Sequence, residues 1–148
     1  MENCIFCRIV NGEIPSVKIW EDEHHIAILD NQPNVKGMAL VLTKRHYDSY
    51  VFDMPRVAYK NFILATKKVA KLIEKGLKVQ RVAMVMEGLG VNHSHIKLYP
   101  LYGLNEKFRE ILAPEKKYFE KYEGYITTQL GPQKSVEELE KIKQEILR

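Results

Sequence analysis

The sequence is poor in cysteine, and both of its cysteines, Cys4 and Cys7, lie close to the N-terminus. Two cysteines three positions apart cannot supply the several disulfides on which small secreted domains rely. The sequence also lacks the apolar run of about 20 residues that a membrane-spanning helix needs, and no apolar stretch of signal-peptide length opens it. We therefore expect a soluble, cytoplasmic protein with reduced thiols and no association with a membrane.

Two further absences narrow the function. The chain has no arginine-rich tract and no pattern of alternating aromatic and basic residues, so we expect no specific nucleic-acid partner. It also has no internal repeat. Its 148 residues are 45% hydrophobic and 28% charged, which is ordinary globular usage and favours one domain with its own core. The net charge of +4 suits a ligand that bears phosphate.

Hydrophobic patterns predict an α+β domain. Apolar residues spaced three and four apart predict a long helix that follows an N-cap at Asp53 and ends at Gly76. Apolar runs and alternations predict five strands, at residues 18–21, 25–29, 38–42, 81–86 and 93–99. An antiparallel β-sheet with the long helix packed on one face gives the α+β fold class.

The chain changes character after Pro100. We assign residues 1–104 to the main domain and residues 105–148 to a helical C-terminal extension of the same domain. In the extension, residues 105–122 are helix-like with a break at Pro114, and residues 124–128 read as extended chain. A capping-box sequence that starts at Ser135 opens a final helix. We interpret the extension as a cover for a functional site or for a partner subunit.

Polar side chains occupy every second position of the last predicted strand. His93, His95 and Lys97 therefore project from one face, and the residues between them project from the other. Two imidazoles and an ammonium group are costly to bury against a core, so we expect this face to line a cleft. A solvated edge strand with nothing bound explains the spacing alone equally well.

The two cysteines have the spacing of metal ligands or of a redox pair. A structural zinc ion needs four nitrogen or sulfur ligands, which Cys4, Cys7, His46 and one of the strand histidines would supply. Simple packing of the two cysteines is the alternative. A thioredoxin-like role is disfavoured, because that motif follows a strand and opens a helix, whereas this one stands at the start of the chain.

Together these residues resemble the histidine triad (HIT) superfamily, in the branch with a zinc-bound N-terminal motif. The resemblance is carried by residues 4–15, 20–30, 43–47 and 92–98, which follow one another in the family's order. It implies a HIT-like homodimer that binds nucleotides. It also implies a structural zinc ion, held by Cys4, Cys7, His46 and His93.

The resemblance further implies a covalent mechanism. His95 takes the position of the histidine that attacks the α-phosphorus and forms a nucleotidyl-histidine. Asp30 stands where the family contacts ribose, although a turn-capping role explains an Asp there equally well. The expected substrates are dinucleoside polyphosphates or nucleoside phosphoramidates. In the glycine-bearing loop that matches the family's phosphate loop, the expected nucleotide contacts are Gly88, Gly90 and Asn92.

The sequence departs from the family in the triad and in the phosphate loop. Lys97 stands where the hydrolases have a third histidine and the uridylyltransferases have glutamine. The loop is short and lacks the family's Gln-Ser or Gln-Thr pair, and Met86 replaces a frequent Asn. We expect Lys97 to stabilise the phosphoryl transition state or to protonate the leaving group. A nucleotidyltransferase or phosphorylase, and a non-catalytic nucleotide-binding protein, remain alternatives to the hydrolase.

Overall fold

The structure is a computed structural model that describes residues 4–104, 110–126 and 130–148. Its strands are β1 (Lys18–Glu21), β2 (His25–Leu29), β3 (Ala39–Thr43), β4 (Val82–Val85) and β5 (His95–Pro100). Its α-helices are α1 (Ile5–Val10), α2 (Arg56–Leu77) and α3 (Val136–Leu147). Within these ranges, no helix is both long enough and apolar enough to cross a membrane.

The five strands form one antiparallel sheet in the order β1-β2-β3-β5-β4. This arrangement, with the long α2 packed against the sheet, confirms the predicted α+β fold class. Strand β3 is buried along its whole length, as its continuous apolar sequence predicts. Strand β5 pairs with it so that Leu42 lies opposite His95 and Leu40 lies opposite Lys97.

The sheet has an apolar layer on each face. Helices α2 and α3 cover one face, where Val41, Phe62 and Ile96 belong to the larger core cluster. Helix α1 covers the other face through Phe6, which packs in a smaller cluster with the side chains of Ile26, Ile28, Leu40 and Leu42. Because directly paired residues share a face, His95 and Lys97 lie on the same face as Leu42 and Leu40, beneath α1.

The predicted boundaries of α2 are wrong at both ends. Asp53 does not cap the helix, because it belongs to a separate 3₁₀ helix (Val51–Asp53), and Pro55 occupies the cap position without a side-chain hydrogen bond. Residues before proline favour extended backbone, and Met54 is extended. The helix also runs through Gly76, and the left-handed residue that ends it is Lys78, with φ of 54°.

The C-terminal extension is only partly helical. Residues 110–126 contain no helix or strand, so the helix predicted over 105–122 is wrong for its described part, and residues 124–126 form a turn instead of extended chain. The predictions for 105–109 and 127–128 lie outside the described residues. Ile111 and Leu112 are 64% and 68% exposed, so these two apolar side chains lack the tertiary packing that stabilises a short helix.

The final helix is present and has the predicted capping box. Ser135 Oγ accepts the Glu138 N–H at 3.2 Å, and a Glu138 carboxylate oxygen accepts the Ser135 N–H at 2.9 Å. Leu139 and Ile146 join the core cluster beneath α2. The extension thus shares the core of the main domain, and the boundary at residue 104 stays a prediction.

Helix α3 approaches α2 closely at Gly76, where a Cβ atom would lie 2.2 Å from backbone atoms of Ile146. A Gly→Ala change inside a helix ordinarily stabilises by about 1 kcal/mol. We expect Gly76→Ala instead to lower the free energy of unfolding by about 1–3 kcal/mol, the usual cost of overpacking. Urea unfolding measures the effect, with Lys75→Ala at the exposed neighbouring position as control. An unchanged or higher midpoint for Gly76→Ala would contradict the close contact.

Candidate active site and metal centre

Four side chains converge where α1 meets the segments that follow β3 and precede β5. Their ligand atoms all lie within 4.8 Å of one another, and they belong to Cys4, Cys7, His46 and His93. His93 Nδ1 is 3.5 Å from Sγ of both cysteines, and His46 Nδ1 is 3.3 Å from Cys7 Sγ. Zinc bonds of about 2.3 Å to sulfur and about 2.0 Å to nitrogen, at a tetrahedral angle, separate these atoms by about 3.5 Å. The donor set and its spacing therefore fit a tetrahedral zinc ion.

Contacts behind the two histidines orient their rings toward the cysteines. His93 is fully buried, and its Nε2 lies 2.8 Å from the carbonyl oxygen of Thr43. An Nε2–H that donates there leaves Nδ1 with its lone pair directed at the sulfur atoms. Burial lowers the pKa of His93, which favours the neutral ring that metal ligation requires. His46 Nε2 lies 3.7 Å from a carboxylate oxygen of Asp48.

His95 opens β5 and is only 3% exposed. Its Nδ1 lies 2.7 Å from the carbonyl oxygen of His93, so Nδ1–H donates and Nε2 keeps its lone pair. Burial lowers the pKa of His95, and the Lys97 ammonium group adds to that effect against the backbone hydrogen bond. The ring is therefore held neutral and in one tautomer, which is the form that a nucleophilic imidazole needs.

The polar face of the last strand, which we expect to line a cleft, is buried at both histidines. Phe6 of α1 lies edge-on to their rings, with centroid distances of 5.9 Å to His93 and 5.3 Å to His95. The shared contact places both rings on one side of the sheet, as predicted. Ser94 turns the other way and donates from Oγ to the Asp48 carbonyl oxygen at 2.6 Å. Helix α1 is the element that buries the face.

Lys97 is paired with an acidic residue that sequence reasoning missed. Its Nζ lies 3.3 Å from a carboxylate oxygen of Glu87, whose side chain is only 7% exposed. Lys97 pairs with Val85 across β4 and β5, and Glu87 stands two positions after Val85 and so continues the same face. The alternation of side chains from Val85 to Glu87 is visible in the sequence. The pairing of β4 with β5, which brings Glu87 next to Lys97, is not visible there because it is a tertiary feature.

Tyr99 is the second missed residue, and it follows Lys97 on the same face of β5. Its hydroxyl is buried without a hydrogen-bond partner among the described residues. Burial, together with the charges of Asp30 and Glu87, raises the pKa of Tyr99 to about 12. The face that begins at His95 thus continues with an ion-paired ammonium group and a neutral hydroxyl that has no partner in the part of the chain that the structure describes.

The glycine-bearing loop after β4 is fixed to the segment after β3. Ser49 Oγ donates to the Gly88 carbonyl oxygen at 2.6 Å, and the side-chain oxygen of Asn92 accepts the Ser49 N–H at 2.9 Å. The amide nitrogen of Asn92 donates to Asp48 at 3.0 Å. A Cβ atom on Gly88 would meet the Ser49 carbonyl oxygen at 2.8 Å, whereas nothing lies within 4 Å of one on Gly90. The side chain of Asn92 therefore anchors the loop, and Gly90 is its open position.

A cavity of about 230 Å³ lies between α1 and the sheet, and we call it the α1 slot. Its apolar lining includes Phe6, Ile9, Ile28 and Leu40. Phe6 also contacts the ring of His95, which itself is not among the residues that line the slot. Asp30 lines the slot as well, while its Oδ1 accepts the Gln32 N–H at 2.7 Å. The carboxylate thus has the turn-capping role and also a place in the slot. A larger cavity of about 520 Å³, beside His25 and Thr43, is lined by none of the predicted site residues.

The chain matches one known protein family. The HIT domain family matches residues 11–102, the stretch that contains all five strands, α2 and the segment with His93, His95 and Lys97. The chain belongs to the HIT family. The match confirms the family resemblance, and it ends before the C-terminal extension.

Three relatives show how similar this HIT protein is to other members of the family. An uncharacterized HIT-like protein of Methanocaldococcus jannaschii is 39% identical over 115 residues, which cover 73% of this chain and 88% of that protein. Adenosine 5'-monophosphoramidase of Saccharomyces cerevisiae is 34% identical over 103 residues, 66% of this chain and 61% of the enzyme. A zinc-bound histidine triad family protein of Mycobacterium smegmatis superposes with a TM-score of 0.62 at 28% identity, covering 77% of this chain and 85% of that one.

Proposed function

We propose that this HIT protein is a nucleotide hydrolase that acts on nucleoside phosphoramidates or dinucleoside polyphosphates through a covalent nucleotidyl-histidine at His95. The observation that carries the proposal is the held tautomer of His95, with Nδ1 on the His93 carbonyl oxygen at 2.7 Å and Nε2 available for attack. The phosphoramidase activity named for the yeast relative supports this substrate class.

We further propose that the substrate's nucleoside occupies the α1 slot. The apolar lining suits the faces of a base, and Asp30 has carboxylate oxygens for ribose hydroxyls. A volume of about 230 Å³ is below the roughly 300–1,000 Å³ of sites for drug-sized ligands, which suits one nucleoside. The contact of Phe6 with His95 supports an α-phosphate beside the imidazole when the nucleoside occupies the slot. Phosphate oxygens would meet the loop formed by Gly88, Gly90 and Asn92, mainly at the open Gly90.

The proposed reaction has two steps. The Nε2 lone pair of His95 attacks the α-phosphorus, and the bond from phosphorus to the leaving amine or phosphate breaks with its electron pair moving to the leaving group. A proton reaches the leaving group from the Lys97 ammonium or from water. Water then attacks the phosphorus and gives up a proton to Lys97 or to solvent, the phosphorus–nitrogen bond to His95 breaks with its electron pair returning to Nε2, and a nucleoside monophosphate is released.

The partly buried ion pair of Lys97 and Glu87 supports a role for Lys97 in this reaction. An ammonium group held beside the reacting phosphorus stabilises the charge that develops on its oxygens. Glu87 would orient Lys97 by the 3.3 Å contact. Such pairs contribute little to stability because desolvation offsets their attraction, so a functional role is the better account of this one.

His95→Ala tests the covalent step. After incubation with adenosine phosphoramidate or a diadenosine polyphosphate, we expect wild type to carry a nucleotidyl adduct and His95→Ala to carry none, because no other imidazole occupies the reacting position. Intact-protein mass spectrometry under acid-free denaturing conditions reads the adduct. His24→Ala, at an exposed histidine, is the control and should keep it.

Other outcomes of this experiment separate the alternatives. Products that change when inorganic phosphate is added would identify a phosphorylase or transferase in place of the hydrolase. Nucleotide binding by wild type without adduct or turnover would leave a non-catalytic binding protein and overturn the proposal.

Lys97→Met tests the electrostatic role, since it removes the charge and keeps the length of the side chain. We expect kcat to fall by about 10²–10³-fold while KM changes by only a few-fold, because the interaction strengthens in the transition state. Steady-state kinetics measures both constants. Glu87→Gln, which keeps Lys97 charged, should cause the smaller loss. A loss that falls only on KM would show that Lys97 merely binds substrate.

We propose that Cys4, Cys7, His46 and His93 bind one structural zinc ion. The ion would attach α1 to the start of β5 and so hold Phe6 over the slot. Ligation by the two thiolates requires a reducing compartment, which is consistent with a cytoplasmic location. Metal-free α1, with six residues, is too short to be stable by itself.

We also propose a homodimer that forms along β4. This strand is the sheet edge next to β5, and Met84 on it is 49% exposed. Unprotected edge strands offer unpaired N–H and C=O groups to a second copy. Pairing there would bring the polar faces of two β5 strands close to the same interface.

Native mass spectrometry tests the metal and the dimer in one sample. We expect wild type to appear as a dimer with one zinc ion per chain. Cys7→Ser should lose zinc and have a lower melting temperature, because a hydroxyl is a poor zinc ligand and the attachment of α1 is lost. His24→Ala is the matched control outside the cluster. A monomer would contradict the dimer, and full zinc occupancy in Cys7→Ser would contradict the ligand assignment.

A further inference from the structure

We propose that the segment at residues 131–136, which we call the strap, forms one wall of the α1 slot and selects the nucleobase of the substrate. This inference rests on the proposed placement of a nucleoside in the slot, but not on the covalent chemistry at His95. It assigns a specificity role to residues beyond the part of the chain that the HIT domain family matches, which ends at residue 102.

The strap contributes directly to the lining of the slot. Gln133, Lys134 and Val136 line it together with Leu139 from the first turns of α3. The remaining polar side chains in the lining are Ser16, Asp30 and Asn31. Most of the other lining is apolar and contacts a base in the same way whatever its substituents are. Gln133 and Lys134 add polar groups to those of Ser16 and Asn31, and such groups distinguish one base from another.

Hydrogen bonds hold the strap against the turn that follows Asp30. The Gly131 N–H donates to the Gln32 carbonyl oxygen at 3.1 Å, and the Lys134 N–H donates to the Asn31 carbonyl oxygen at 2.8 Å. A Cβ atom on Gly131 would lie 1.8 Å from the Pro33 carbonyl oxygen, so only glycine permits this close approach. The strap is thus joined to the turn that carries the proposed ribose-binding carboxylate.

Helix α3 fixes the other end of the strap. The capping box at Ser135 starts the helix directly after Lys134, and Leu139 and Ile146 anchor it in the main core. A wall fixed at both ends is in place before the ligand arrives. Preorganisation of this kind reduces the entropy cost of binding and strengthens discrimination between ligands.

Two contacts support a base beside the strap. Phe6 contacts His95, where the α-phosphate belongs in the proposed mechanism. Asp30 is adjacent to the strap-bearing turn, so a ribose bound there directs its base away from His95. The base edge then meets the Gln133 amide, which has both a donor and an acceptor, and the Lys134 ammonium, which only donates. Lys134 Nζ is steadied by Glu138 at 3.0 Å.

Binding of the four nucleoside monophosphates tests the strap independently of turnover. Titration calorimetry with AMP, GMP, CMP and UMP gives the ratios of affinity among bases for wild type and for Gln133→Ala/Lys134→Ala. We expect the largest ratio in wild type to fall by about tenfold in the double variant, because one or two hydrogen bonds to the base edge are lost. Gln144→Ala/Lys141→Ala, at exposed positions of α3, is the matched control and should keep the wild-type ratios.

Two more variants complete the test. One removes the proposed contact with ribose, and the other changes the position of the strap. Asp30→Asn should weaken all four ligands by a similar factor, since ribose is common to them. Gly131→Ala should displace the strap and reduce the ratios as the double variant does, and circular dichroism checks that both proteins are folded.

The outcomes distinguish this inference from the proposed function. Base-dependent binding that the strap variants reduce supports the strap even if wild type shows no turnover, in which case only the hydrolase proposal fails. Equal loss for all four bases, or no change, in Gln133→Ala/Lys134→Ala would overturn the strap's role. Absence of nucleotide binding by wild type would overturn both.

Discussion

The pairing of β5 with β3 is the constraint on which the rest of the site depends. With His95 opposite Leu42 and Lys97 opposite Leu40, the polar face of β5 lies on the side that α1 covers. Side chains alternate between faces with a period of two, so a slip by one residue would turn both groups into the core under α2. One register therefore decides on which face His95 and Lys97 lie relative to α1 and the cysteine–histidine cluster.

Helix α1 connects these three features. Its N-terminal residues carry Cys4 and Cys7, and between them Phe6 contacts the rings of His93 and His95. A helix of six residues has little stability of its own, so its position depends on what holds its ends. The cysteine–histidine cluster lies at one end, and the packing of Phe6 on the sheet continues from there. The cysteine–histidine cluster and the α1 slot consequently share α1 as one wall.

The C-terminal residues contribute a second wall from a different part of the chain. Gly131 reaches the turn after Asp30, and α3 crosses α2 where Gly76 leaves room for the backbone of Ile146. Both close contacts are possible because Gly131 and Gly76 have no side chain. The polar groups at the site are similarly constrained, because the side chains of Lys97 and Glu87 are only 19% and 7% exposed and must be paired to be tolerated.

Much of the fold was determined by the sequence itself, because alternation along strands and three-four spacing along α2 are local and periodic signals. The same alternation put His93 and His95 on one side of the sheet, and the capping box located α3. Only the tertiary structure decided that the two histidines are buried, that Glu87 pairs with Lys97, and that Asp53 and residues 110–122 are not helical. Burial, ion pairing and marginal helices depend on which surfaces meet, and those contacts join residues far apart in the chain. The cluster of Cys4, Cys7, His46 and His93 is another contact of this kind, because the fold of the domain brings these distant residues together.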